Sequence, residues 1–188
     1  HQMNFFTTWR SSLLGFFLTS SAALAAVAPL KERYLIHDGG MSREFEISTN
    51  EVFHRGKIQR VEKISAQPNA EAVRSHAREL QRAATNEVEL VLYPPGQPHN
   101  EFTRRVLTKQ LLVRLSPGVD TNALAQAAGL IVRRQFASAP GYVLLETTET
   151  AGALSAAESL RGQRGVLYAE PQLARQRQRK FAPNDPYF

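Results

Sequence analysis

Leu107-Thr108-Lys109-Gln110-Leu111-Leu112-Val113-Arg114-Leu115-Ser116-Pro117-Gly118 is the stretch on which the fold turns. Leu107, Leu111, Val113 and Leu115 share one face of a strand and Arg114 takes the other, because successive strand side chains alternate. Ser116-Pro117-Gly118 then turns the chain. Asp120 or Thr121 is placed to cap a helix carrying Ala123, Leu124, Ala127 and Ala128, and Gly129 is placed to end it. Leu130, Val132 and Phe136 alternate on a second strand, and Ala139-Pro140-Gly141 reverses it. Tyr142 to Thr147 reads as a third strand. A helix from about Thr150 follows, with Ala153, Ala156, Ala157 and Leu160 along one side, closed by Gly162 or Gly165. Val166-Leu167-Tyr168-Ala169 is the fourth strand.

The order is β-α-β-β-α-β, which predicts an α+β class and the ferredoxin-like split arrangement, two helices on one face of an antiparallel sheet. Such a fold serves many functions, so the residues must discriminate among them. Small metal carriers of this shape use cysteine pairs, and the chain has no cysteine. RNA-binding sheets present several aromatics for stacking. Here the third strand offers Tyr142 alone among aliphatic residues, so no nucleic-acid partner is expected.

Upstream lies a smaller α+β unit, over 30–95. Tyr34-Leu35-Ile36 and Phe45-Glu46-Ile47 flank the turn His37-Asp38-Gly39-Gly40, and Glu51-Val52-Phe53-His54 reads as a third short strand ended by Gly56. Asn69 is a candidate N-cap for a helix through Ala72, Val73, Ala77, Leu80 and Ala84. Glu87 to Tyr93 alternates as a strand and ends at Pro94-Pro95-Gly96-Gln97-Pro98, which opens a linker over 96–106.

From Met3 the chain shows a polar start with Arg10 and then an apolar run from Leu13 to about Ala28. That run is shorter than the roughly 20 residues a membrane-crossing helix needs. Small residues crowd its end, and Ala23-Leu24-Ala25 before Ala26 fits the A-x-A form of a signal-peptidase site. Segment 1–28 is therefore read as a two-residue remnant plus a signal peptide. Signal peptidase is then a partner, no stable membrane span remains after cleavage, and the product is secreted or periplasmic. The net charge is +6. Arg175, Arg177, Arg179 and Lys180 hold much of it, so the basic character belongs to a tail and not to a folded face.

Val166-Leu167-Tyr168-Ala169-Glu170-Pro171-Gln172, followed by Pro183-Asn184-Asp185-Pro186-Tyr187-Phe188, resembles the last strand of the inhibitory pro-domains of subtilisin-like serine proteases and the lead-in to their mature domain. Leu111 to Leu115 and Gly141-Tyr142-Val143 fit the same pro-domain. The resemblance implies an inhibitory pro-domain over 107–174, with a cleavage linker and the start of a mature enzyme over 175–188. It also implies a cognate catalytic domain, in cis or in trans, as partner. Tyr168, Ala169, Glu170 and Pro171 would dock on the protease, with Glu170 capping enzyme helices or simply lying solvated. Gln172 to Lys180 would fill its cleft as an added strand. Maturation is expected at Lys180-Phe181, with Arg175, Arg177 and Arg179 as further basic candidates, and the catalytic domain is expected beyond Phe188.

No catalytic apparatus is read in the chain itself. A Ser-His-Asp triad needs three groups in mutual reach. His37-Asp38-Gly39-Gly40 is better explained as a hairpin turn, and Asp120-Thr121-Asn122 as a helix cap. No Gly-x-Ser-x-Gly elbow occurs. His1, His54, His76 and His99 are scattered without metal-site spacing, and no cofactor loop appears. The expectation is a pro-region acting as intramolecular chaperone and temporary inhibitor. The alternatives are a free-standing secreted protease inhibitor and a basic secreted binding module.

Overall fold

The protein was analysed as a computed structural model, which describes residues 29–38, 41–83 and 86–175. Eight strands and three helices follow in the order β1 (Arg33–Asp38), β2 (Met41–Arg55), β3 (Arg60–Lys63), α1 (Ala70–Ala83), β4 (Glu87–Tyr93), β5 (Arg105–Leu115), α2 (Thr121–Ala127), β6 (Ile131–Gln135), β7 (Tyr142–Glu146), α3 (Gly152–Arg161) and β8 (Val166–Ala174). The result is an α+β protein built on antiparallel pairing.

All eight strands join one sheet, in the order β1-β2-β4-β5-β7-β6, with β3 on β2 and β8 on β5. The two halves of the chain meet where Val91 and Leu92 of β4 pair with Val106 and Arg105 of β5. One hydrophobic cluster runs through both halves, from Tyr34, Ile36 and Phe45 through Val73, Leu90 and Leu92 to Leu111, Leu145, Leu154 and Leu160. Each such side chain contributes roughly 1.5–3 kcal/mol on leaving water. The Pro-rich segment after Tyr93 is a turn whose ends are drawn together. Thr103 Oγ1 donates to Pro98 O at 2.5 Å, and the amides of Phe102 and Thr103 donate to Asn100 Oδ1.

Local chemistry explains the helix starts. Asp120 accepts hydrogen bonds from the amides of Asn122 and Ala123, the N-cap arrangement at α2. Asn69 Oδ1 accepts from Ala72 N at 2.9 Å at α1. α3 starts at Ala151 with no side-chain cap.

Two expectations about elements need correction, and one strand was not foreseen. Phe45–Ile47 and Glu51–His54 are not separate strands. They belong to one strand of 15 residues, and a register irregularity between Ile47 and Val52 lets both pair with β4. β3 was not anticipated, because Arg60-Val61-Glu62-Lys63 is too short and polar to read as a strand, yet it pairs residue by residue with Glu51–His54. The fourth strand of the C-terminal half does not end at Ala169. It continues to Ala174, which pairs with Val106, as Leu173 does with Leu107.

A cluster of charges ties α1 to the turn before α3. Arg74 is 3% exposed and its guanidinium bonds Glu149 Oε1 through Nε, at 3.0 Å, and through Nη2. Arg78 reaches the same carboxylate through Nε and Nη2, both at 2.7 Å. Burial alone would raise the Glu149 carboxyl, but the hydrogen bonds and charges of Arg78 and Arg74 hold it below the usual carboxylate range.

Candidate functional site

The residues singled out for docking lie on β8, and the sheet sorts them by parity. Ala169 and Pro171 pair with Val113 and Leu111 and are buried. Tyr168 and Glu170 pair with Arg114 and Leu112 and therefore project to the opposite face. Across β5 the same face continues, since Arg114 pairs with Tyr142, Leu112 with Leu144 and Gln110 with Glu146. β6 adds Arg134 beside Leu144 and Ile131 beside Glu146.

Two rows result, Tyr168–Arg114–Tyr142 and Glu170–Leu112–Leu144–Arg134. Leu112 and Leu144 are half-buried and stand apart from the hydrophobic cluster that takes in α3. Ile131 is 47% exposed. Arg114 lies over the Tyr142 ring at 5.4 Å and Arg134 over Phe136 at 5.0 Å, which spreads cation and aromatic across the face. Arg133 is held to Glu146 by hydrogen bonds of 2.8 and 2.6 Å. That contact keeps the Glu146 carboxyl below its ordinary range.

Glu170 is committed within the molecule. Its carboxylate meets Arg161 Nη2 at 2.8 Å with 13% of the side chain exposed, and it accepts from the backbone amide of His37 at 3.3 Å. Arg161 in turn donates to Ala169 O. The His37 ring meets Tyr168 edge-on at 6.1 Å. Burial raises the Tyr168 hydroxyl and the Glu170 charge adds to it. β1 thus closes against the free edge of β8 through side chains and one amide. Pro171 is tolerated in β8 because that strand is paired along one edge only.

Gln172 to Ala174, the expected start of a cleft-filling segment, are already used by the sheet. Thr108 Oγ1 donates to Gln172 O at 2.8 Å. Arg175 is exposed just beyond the strand end. The signal-cleavage residues Ala23, Ala25 and Ala26 and the maturation residues Arg177, Arg179, Lys180 and Phe181 lie outside the described residues. Among the described residues no group of three His, Asp or Glu side chains could hold a metal ion, and no helix is long and apolar enough to cross a membrane.

The face formed by Arg114, Leu112, Tyr142 and Leu144 was not singled out from sequence. Its signal was available in the even-numbered positions of β5, which alternate with the core positions. The partners across β7 and β8 become visible only with the register.

The model of a family described as the open reading frame 2 N-terminal domain matches residues 66–180. This overturns the resemblance to subtilisin-like protease pro-domains. The motif Val166–Gln172 that suggested it has a local explanation, an edge strand alternating Ala169 and Pro171 inward with Tyr168 and Glu170 outward. No curated protein and no solved structure matches the chain.

Proposed function

We propose, from the premise that the chain belongs to the open reading frame 2 N-terminal domain family, that it is an exported, non-catalytic module that docks on a partner protein. In this reading the uncovered face of the β8-β5-β7-β6 unit is the docking surface, and the partner is an enzyme that the module restrains or helps to fold. The unit is read as the split β-α-β-β-α-β arrangement, with the chain crossing through α2 between β5 and β6 and through α3 between β7 and β8. The strand order supports that reading.

The single observation that carries the proposal is the pair of rows across the sheet. Leu112 and Leu144 form an apolar centre, and Tyr142, Tyr168 and Arg114 are residue types that favour buried contact in protein interfaces. Glu146 and Glu170 on the same face are each already paired with an arginine, so the apolar and aromatic rows, rather than the charge of the face, favour a protein partner.

The test places a photo-crosslinking residue at Leu144 of the exported chain, with a control probe at Arg82 on the exposed side of α1. One discrete protein adduct is expected from position 144 alone, lost when Leu112→Asp is added. The activity of the cross-linked partner is measured in parallel. Adducts from both positions, or an adduct indifferent to Leu112→Asp, would overturn the docking face. Equal activity of that partner with wild type and with Leu112→Asp would remove the restraining role.

A further inference from the structure

On the same side of the sheet, away from the docking rows, lies a cavity of about 390 Å³ lined by Phe53, Arg55, Gln59, Glu101, Arg104, Val106, Ala174 and Arg175. Three arginines line it, Arg55 at the end of β2, Arg104 just before β5 and Arg175 just after β8. Carboxylates stand behind two of them, Glu89 at Arg55 and Glu51 at Arg104. Glu89 is 2% exposed and Glu51 6% exposed, whereas the side chains of Arg55 and Arg104 are 35% and 21% exposed.

The bracing leaves donors uncommitted. Arg55 gives only Nε to Glu89 Oε1, at 2.7 Å, and its guanidinium stands 5.9 Å from the Phe53 ring centroid. Arg104 gives Nε to Tyr93 Oη at 2.9 Å, and Tyr93 donates onward to Glu51 at 2.5 Å. The Tyr93 ring is fixed by stacking on His99 at 3.9 Å and 6°. The Glu89 carboxylate on Arg55, and the Tyr93 hydroxyl on Arg104 with Glu51 3.9 Å from its Nη2, orient the remaining N–H groups, an arrangement suited to a planar or tetrahedral oxyanion. Glu89 Oε2 has no hydrogen-bond partner. Burial raises the Glu89 carboxyl against the lowering effect of Arg55.

We propose that this cavity binds a small organic oxyanion, a phosphate ester or carboxylate carrying an apolar ring. The oxyanion would lie on Arg55, Arg104 and Arg175, and the ring against Phe53, Val106 and Ala174. The volume is at the lower end of small-molecule sites, which admits a single ring with its acid group.

Calorimetric titration of the full chain with phenyl phosphate, benzoate and inorganic phosphate tests the site and tells the two acid classes apart. At least one of the two ring-bearing anions should bind, and more tightly than inorganic phosphate. Arg175→Ala, at an exposed residue, should weaken binding about tenfold, as expected for loss of one charged hydrogen-bond donor set. Arg104→Lys keeps the charge but not the fork and should also weaken it. The triple variant Arg177→Gln, Arg179→Gln, Lys180→Gln should bind as wild type does. Affinity unchanged in Arg175→Ala, lost in the triple variant, no higher than for inorganic phosphate, or absent for both ring-bearing anions would each overturn the proposal. None of these outcomes depends on the docking face.

Discussion

Arg74 cannot be solvated where it lies, with 4% of its side chain exposed, so Glu149 carries an unusual share of responsibility. Removing one member of a buried ion pair strands the other in a poor dielectric, which costs about 3–5 kcal/mol. Arg74 Nη1 keeps the Glu71 carboxylate at 3.3 Å, so Glu149→Ala should lower the unfolding free energy by an amount towards the lower end of that range in a denaturant titration. Arg78→Ala, whose side chain is 41% exposed, should cost under about 1 kcal/mol. The sign of the pH effect follows from the lowered Glu149 carboxyl. The folded state binds this proton less readily than the unfolded chain, so the stabilisation is complete above the ordinary glutamate range and is lost as pH falls through the lower folded value. The stability gap between wild type and Glu149→Gln should narrow as the buffer is taken from neutral towards pH ~3. A gap that widens on acidification would contradict the assignment.

At the scale of elements, the β6–β7 hairpin depends on its turn. Gly141 has φ +84°, and a Cβ there would stand 2.8 Å from Leu115 O. Both the left-handed backbone and the close approach exclude a side chain, so Gly141→Ala should cost about 1–3 kcal/mol, read as a fall in denaturation midpoint. Gly118→Ala has open space around it and should suffer the backbone cost alone. The C-terminal elements were legible because each is announced by local chemistry: Asp120 at a helix start, Pro-Gly pairs at turns, alternation in Leu111 to Leu115. β2 was not, because Thr49 and Asn50 look like a break, and the bulge that carries the strand past them is set by pairing with β4. The candidate site was half legible. Tyr168 and Glu170 could be singled out along the chain, whereas Leu112 and Leu144 gain meaning only from cross-strand register. The His37 contact of Glu170 joins residues 133 positions apart and could not be read from the chain, and the Arg161 contact depends on how α3 turns back into β8.

Across the whole molecule, the β4–β5 junction and the shared hydrophobic cluster make the two halves interdependent. A fragment of 107–175 loses β4, α1 and the Arg74 partner of Glu149, and a unit of that length buries only about 60% of its unfolded surface. It should show no cooperative far-UV melt. A sharp transition above about 60 °C, in the range of stable autonomous domains, would refute this. The same continuity has a consequence for how relatives are delimited and shortened. Ala66, where the family match begins, falls after β3, so a chain started there would discard β1, β2 and β3 together. β4 pairs with β2 from Glu87 to Tyr93, and its Val88, Leu90 and Leu92 are almost wholly buried. Such a truncation would lay bare a strand edge of seven residues, five of them apolar or aromatic, the kind of ribbon that recruits copies of itself into aggregates. Turbidity and light scattering should separate the truncated chain from one starting at Pro29. The border along which sequences stay comparable is, in this protein, not the seam along which it can be cut.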